Sequence, residues 1–146
     1  HLLGHYDRAD VVYRQVIADD DSYAGLYDFL AATETADESY RIATGYMHQE
    51  QWDKAKERLE TALQADANNV DALTALGVVL THKGDYDGAF DLFERAEERD
   101  PTNAGIRLNM AIVRHLQGRR HEAEVIYRQT VEMEPAYDGY LDFLEE

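Results

Sequence analysis

The feature that most constrains this chain is a pattern that returns every 34 residues. Its clearest copy runs Leu73-x₂-Leu76-Gly77-x₂-Leu80, then Ala89-x₃-Phe93, Ala96 and Pro101. One period earlier stand Ile42-Ala43, Tyr46, Trp52, Ala55, Leu59 and Ala62; one period later stand Met110-Ala111, Gly118, Ala123, Tyr127 and Pro135. A fixed period of this length means stacked supersecondary units, because one unit alone cannot bury its apolar face. Within each unit the apolar residues recur at three- and four-residue spacing in two stretches, which predicts two amphipathic helices. Gly77, Ala43 and Ala111 share one place and Ala89, Ala55 and Ala123 another, so two helix backbones can approach closely there. Gly84 and Gly118 fall between the helices, where a left-handed C-terminal cap suits glycine. Asp85 is placed to cap the next helix, and Pro101 and Pro135 open new units because proline cannot continue a helix.

Each unit therefore reads as helix, tight turn, helix, stop. The pattern resembles the tetratricopeptide repeat (TPR) family, whose L-G-x₂-Y…A-x₃-F…P signature the central unit nearly reproduces. Leu80 stands where the family usually has tyrosine, Arg114 is unexpected at the same place, and Ala67 stands where Pro101 and Pro135 stand later. The resemblance implies an all-α fold without strands, a right-handed solenoid of antiparallel helix pairs. It covers three full repeats, 36–69, 70–103 and 104–137. A partial repeat, mainly a second helix, is expected over 1–21, an inserted helical segment over 22–35 and a capping helix over 138–146.

The insert breaks the period. Ala9 and Ala55 hold one place in their units but lie 46 residues apart, so 12 residues have entered around Tyr23-Ala-Gly-Leu-Tyr-Asp-Phe-Leu30. A relative of that stretch closes the chain as Tyr137-Asp-Gly-Tyr-Leu-Asp-Phe-Leu144. The match, at an offset of 114, runs back through Tyr13-Arg14-Gln15 and Tyr127-Arg128-Gln129 to Gly4 and Gly118. Either a separate short helix fills the insert, or one long helix runs from about Tyr23 to His48. Nothing between Thr33 and Ala36 forces a break, which favours the long helix. Two roles are open for the related ends. Leu141 and Leu144 match apolar places of a first helix and fit a cap over the solenoid's open end. Alternatively Tyr23, Tyr27, Phe29 and Leu30 at one end, and Tyr137, Tyr140, Leu141, Phe143 and Leu144 at the other, form a head-to-tail or swapped homo-oligomer.

Charge narrows the partners. Thirty Asp and Glu against 14 Lys and Arg give a formal net charge of −16. Such a surface repels nucleic-acid phosphates and anionic membranes and draws in basic segments. It also suits simple solvation in a salt-rich cytoplasm. No apolar run is long enough to span a bilayer. A cytoplasmic setting is favoured, with the periplasm left open. The absence of cysteine excludes disulfides and thiolate chemistry.

No catalytic motif is present: there is no P-loop, no G-x-S-x-G, and His121-Glu122 lacks the second histidine of a zinc helix. No cofactor is expected. Asp85-Tyr-Asp87-Gly88 echoes only part of a calcium loop. His48 and His82 lie one period apart, with His115 one residue out of step. Units ~8–10 Å apart are too distant to share one ion, so no metal is expected. The ten tyrosines are expected mostly in packing, with Tyr23, Tyr40 and Tyr137 the exposed exceptions.

The resemblance places functional residues on the concave face lined by first helices. There stand Tyr40, Arg41, Thr44, Met47 and His48, then Thr74, Val78, Thr81 and His82, then Leu108, Asn109, Ile112 and His115, with Asp37 and Asp71 at the rim. Family members that bind C-terminal carboxylates use lysine, arginine and asparagine at matching points. Here only Arg41 and Asn109 stand in for them. An extended or helical peptide with apolar anchors and some basic residues fits this groove better. The expected function is thus a non-catalytic protein-interaction scaffold. The alternative is a regulatory, targeting or self-assembling region of a larger enzyme, secretion or envelope complex.

Overall fold

A computed structural model describes residues 36–141, and six α-helices account for most of them. They are α1 (Ala36–His48), α2 (Trp52–Ala65), α3 (Val70–Lys83), α4 (Tyr86–Arg99), α5 (Ala104–Leu116) and α6 (Arg120–Met133), followed by a 3-10 turn, Pro135–Tyr137. The described residues contain no strand. The inserted segment, the partial repeat and the start of a Tyr23–His48 helix lie outside the described residues, as do Tyr23, Tyr27, Phe29, Leu30, Phe143 and Leu144.

The helix ends repeat with the sequence period. Asn69 and Asn103, one period apart, cap α3 and α5 by accepting from the backbone N–H of Ala72 and Ile106. Asp85 caps α4 in the same way, accepting from Gly88 N–H at 3.0 Å. Satisfying an orphan donor in this manner is worth about 1 kcal/mol. The turn between paired helices demands a left-handed residue at one place. Gly84 (φ 83°) and Gly118 (φ 77°) supply it, and in the first unit Glu50 takes the same place at φ 56°. The residue after each donates back across the turn, Gln51 to Tyr46, Asp85 to Leu80 and Arg119 to Arg114. These are six-to-one closures of the kind that end helices at a left-handed residue.

Packing follows the small places. A Cβ added at Gly77 would meet the Phe93 ring at 2.6 Å, so glycine is what lets α3 and α4 close over that ring. In the neighbouring units the matching places hold Ala43 with the smaller Leu59 and Ala111 with Tyr127, and all four are buried. Phe93, Leu59, Leu73, Ile106, Val79 and Val113 form the fully buried interior. Burying each such side chain stabilises the fold by about 1.5–3 kcal/mol. The core is one continuous ribbon from Ala43 to Val113, with Ala111, Ala123, Tyr127 and Leu141 forming its terminal extension.

After Pro135 the chain does not enter a helix at once. Residues 138–141 are turns, and Gly139 sits at φ 82°, which a right-handed helix does not accept. The remainder of the expected 138–146 capping helix falls outside the described residues. Leu141 is nevertheless 5% exposed and packs in the terminal extension of the core. Tyr127 anchors this turn, its hydroxyl donating to the Tyr137 carbonyl at 2.9 Å and accepting from Leu141 N–H at 3.3 Å.

Candidate protein-interaction groove

Each first helix has a buried side and a wetter stripe. On α3 the residues Ala72, Leu73, Ala75, Leu76, Gly77 and Val79 are buried, which leaves Asp71, Thr74, Val78 and Thr81 along the opposite side at helical spacing. The same stripe on α1 is Asp37, Tyr40, Thr44 and Met47, and on α5 it is Leu108, Ile112 and His115. Successive first helices α1, α3 and α5 touch one another, so the three stripes lie side by side. Tyr40, Met47, Val78, Leu108 and Ile112 are half-buried, and together they make an apolar strip interrupted by the threonines. Thr44 donates to the Tyr40 carbonyl at 2.7 Å and Thr81 to the Gly77 carbonyl at 2.8 Å. Both hydroxyl protons are thus spent within their own helices, leaving oxygen lone pairs and methyl groups outward.

The acids concentrate at one end of the strip. Asn69 donates to Asp37 at 3.5 Å, tying the first turn of α1 to the entry of α3. Burial first, and the nearby Asp71 carboxylate second, push the Tyr40 hydroxyl above its ordinary value of 10.0. The charge of Asp71 on α3 is thus felt at Tyr40 on α1. The four Lys and Arg side chains of the described first helices are Arg41, Lys83, Arg107 and Arg114. Lys83 pairs with Asp53, Arg107 binds Glu97 at 2.5 Å, and Arg114 pairs with Glu122 at 3.2 Å. Arg41 is exposed, and Asn109 is half-buried one helix further than α3, on α5.

Other sequence-predicted residues separate from the strip. His82 does not line it openly: its ring stacks on Trp52 at 4.1 Å and 9° between planes, at the edge where the paired helices turn. His48 is exposed at the end of α1, and His115 is half-buried on α5. Among the described residues no three His, Cys, Asp or Glu side chains gather as metal ligands would. Of the described tyrosines it is Tyr140 that stands out, at 65% exposure, while Tyr40 and Tyr137 are half-buried. Tyr137 is held edge-on against Tyr140 at 5.3 Å.

Sequence reasoning missed the links between units. Asp53 on α2 takes Lys83 from α3, and one period later Asp87 on α4 takes Gln117 from the end of α5 at 2.6 Å. The signal was an acid in the first turn of a second helix with a donor 30 residues on. Arg114, odd by the repeat pattern, lies 3.5 Å over the Phe90 ring and so fills an inter-unit contact by cation–π stacking.

Two family models described as tetratricopeptide repeat match residues 40–104 and 80–141. Protein O-mannosyl-transferase TMTC1 of Mus musculus is 31% identical over 103 residues, covering 67% of this chain and 11% of that protein. The chain thus spans a small part of that relative. Among solved structures, MamA superposes with a TM-score of 0.70 at 19% identity, covering 92% of this chain and 71% of that one. The first TPR of Spaghetti (RPAP3) bound to the HSP90 peptide SRMEEVD superposes with a TM-score of 0.71 at 17% identity, covering 75% and 87%. The second TPR domain of human RPAP3 in complex with the HSP70 peptide SGPTIEEVD gives 0.70 at 16%, covering 76% and 95%. Together with the repeating caps, turns and small-residue contacts, the two overlapping family matches identify this chain as a member of the tetratricopeptide repeat family.

Proposed function

We propose that this chain is a non-catalytic scaffold that holds a segment of a partner protein along the strip formed by α1, α3 and α5. The observation that carries this is the row of half-buried apolar side chains, Tyr40, Met47, Val78, Leu108 and Ile112, on helices whose other sides are consumed by the core. Such a row gains by being covered, at about 25 cal/mol per Å² of apolar surface. The two RPAP3 domains with peptides bound share this fold, which supports peptide capture as a use of it. The partner segment carries apolar anchors and basic residues, since three of the four first-helix cations are already paired and the rim holds Asp37 and Asp71. A C-terminal carboxylate meets only Arg41 and Asn109 here.

The test is a comparative pull-down with wild type beside a Tyr40→Ala, Val78→Asp, Ile112→Asp variant whose helicity is checked by circular dichroism. Partners retained by wild type and lost by the variant support the groove. Equal recovery from both sinks it.

A second reading places this array within a larger protein as a targeting, regulatory or self-assembling region. The match to a short part of the much longer TMTC1 favours it. Expression of the parent gene product with and without residues 36–141 tests it: unchanged location and assembly state count against it.

A further inference from the structure

The groove is not uniform along its length, and its asymmetry sets a direction. At the α1 end, Tyr40 follows Asp37 by one helical turn and feels the charge of Asp71, and Asn69 at the entry of α3 donates to Asp37. At the α5 end the same stripe offers Leu108 and Ile112, and Gly105 where Asp37 and Asp71 stand in the earlier units, so no acid occupies that end of the stripe. Val78 lies between. Resting on the groove reading above, we propose that the occupant crosses the first helices in one register, with a lysine or arginine side chain over Tyr40 between Asp37 and Asp71 and a branched aliphatic side chain over Val78 and Ile112.

Three physical facts support that register. An aromatic face with flanking carboxylates attracts a cation through both the ring quadrupole and net charge. A tyrosine hydroxyl is uncharged at neutral pH, and burial and then Asp71 raise that of Tyr40 further, so it adds no competing anion. Three of the four first-helix cations, Lys83, Arg107 and Arg114, are held by Asp53, Glu97 and Glu122 on the second helices, and the fourth, Arg41, is exposed. Two inter-helix steps of ~8–10 Å separate Tyr40 from Ile112. An extended chain at ~3.3 Å per residue covers that distance in about five or six residues.

Panning a random dodecapeptide phage library against wild type, Asp71→Lys and a Val78→Asp, Ile112→Asp variant tests both layers. Wild type is expected to enrich sequences with Lys or Arg about five or six residues from Leu, Ile or Val. Synthetic copies of those peptides should bind Asp71→Lys about tenfold more weakly, the loss of one charge-assisted contact. Asp37→Lys serves as a second charge reversal should Asp71→Lys lower the melting temperature. Enrichment of acidic or uncharged sequences, or charge reversals that leave affinity unchanged, overturns the register while the groove stands. Peptides that bind the Val78→Asp, Ile112→Asp variant as well as wild type, or no enrichment at all, overturn both.

Discussion

Glu50 is the most exposed point of strain in the described fold. It holds a left-handed backbone, φ 56°, at the place where later units have Gly84 and Gly118. A left-handed conformation costs a residue with a Cβ about 1–2 kcal/mol. Glu50→Gly is therefore expected to stabilise the protein by roughly 0.5–1 kcal/mol, after the entropy glycine loses on folding. Urea denaturation measures it, and a midpoint that falls would contradict the strain. Gly77 carries the opposite lesson. Alanine there improves helix propensity by ~1 kcal/mol, yet its methyl enters the Phe93 ring, and overpacking of this kind costs about 1–3 kcal/mol. Gly77→Ala should thus destabilise, while Gly77→Ala with Phe93→Leu, which copies the residues Ala43 and Leu59 at the matching places of the first unit, should recover part of the loss. These places were legible as small residues in the repeat. That the left-handed place falls on Glu50 was not, because a repeat pattern built on glycine is silent where glycine is absent.

Between elements, the fold depends on links that tie one unit's turn to the next. Trp52 and His82 stack across the junction of α2 and α3, and Asp53 and Lys83 pair beside them. An aromatic pair of this geometry is worth about 0.5–1.5 kcal/mol beyond its burial. His82→Ala should lower stability by that order and red-shift the emission of Trp52, the chain's single tryptophan. The Asp53 carboxyl is held below its ordinary 3.8 by the Lys83 hydrogen bond and then by the Lys83 charge. A carboxylate depressed in the folded state contributes stability above its unfolded value and loses it as pH falls through the folded one. Asp53→Asn should flatten the acid limb of the stability profile, read by urea melts from neutral pH to below 3.8; an unchanged limb would assign no role to the pair. At the far end, Tyr127→Phe removes the hydroxyl that both donates to Tyr137 and accepts from Leu141. The expected result is faster hydrogen exchange at the Leu141 amide and a loss of about 1–2 kcal/mol.

For the whole molecule, charge opposes compactness. A net charge of −16 over 146 residues repels itself, and several of the ion pairs found are exposed surface pairs of small value. Salt screens repulsion more than it weakens such pairs, so the melting temperature is expected to rise from low ionic strength to about 1 M salt. A melting temperature that falls over that range would mean the ion pairs outweigh the repulsion. Because each unit touches chiefly its neighbours, the period alone was enough to state helix pairs, their turns and the core ribbon: alternating apolar places at three- and four-residue spacing leave a helix only one side to bury. Sequence also placed Tyr40, Val78 and Ile112 on the less buried side of their helices, since one helical face follows from spacing. It could not state which charges remain in the groove. Lys83, Arg107, Arg114 and His82 all sit on first helices, and only the approach of α2, α4 and α6 turned them onto Asp53, Glu97, Glu122 and Trp52. Periodicity is a property of one chain segment read along its axis, whereas the pairing of charges and rings depends on which segments come within a few ångströms of each other, and that is decided only when the units stack.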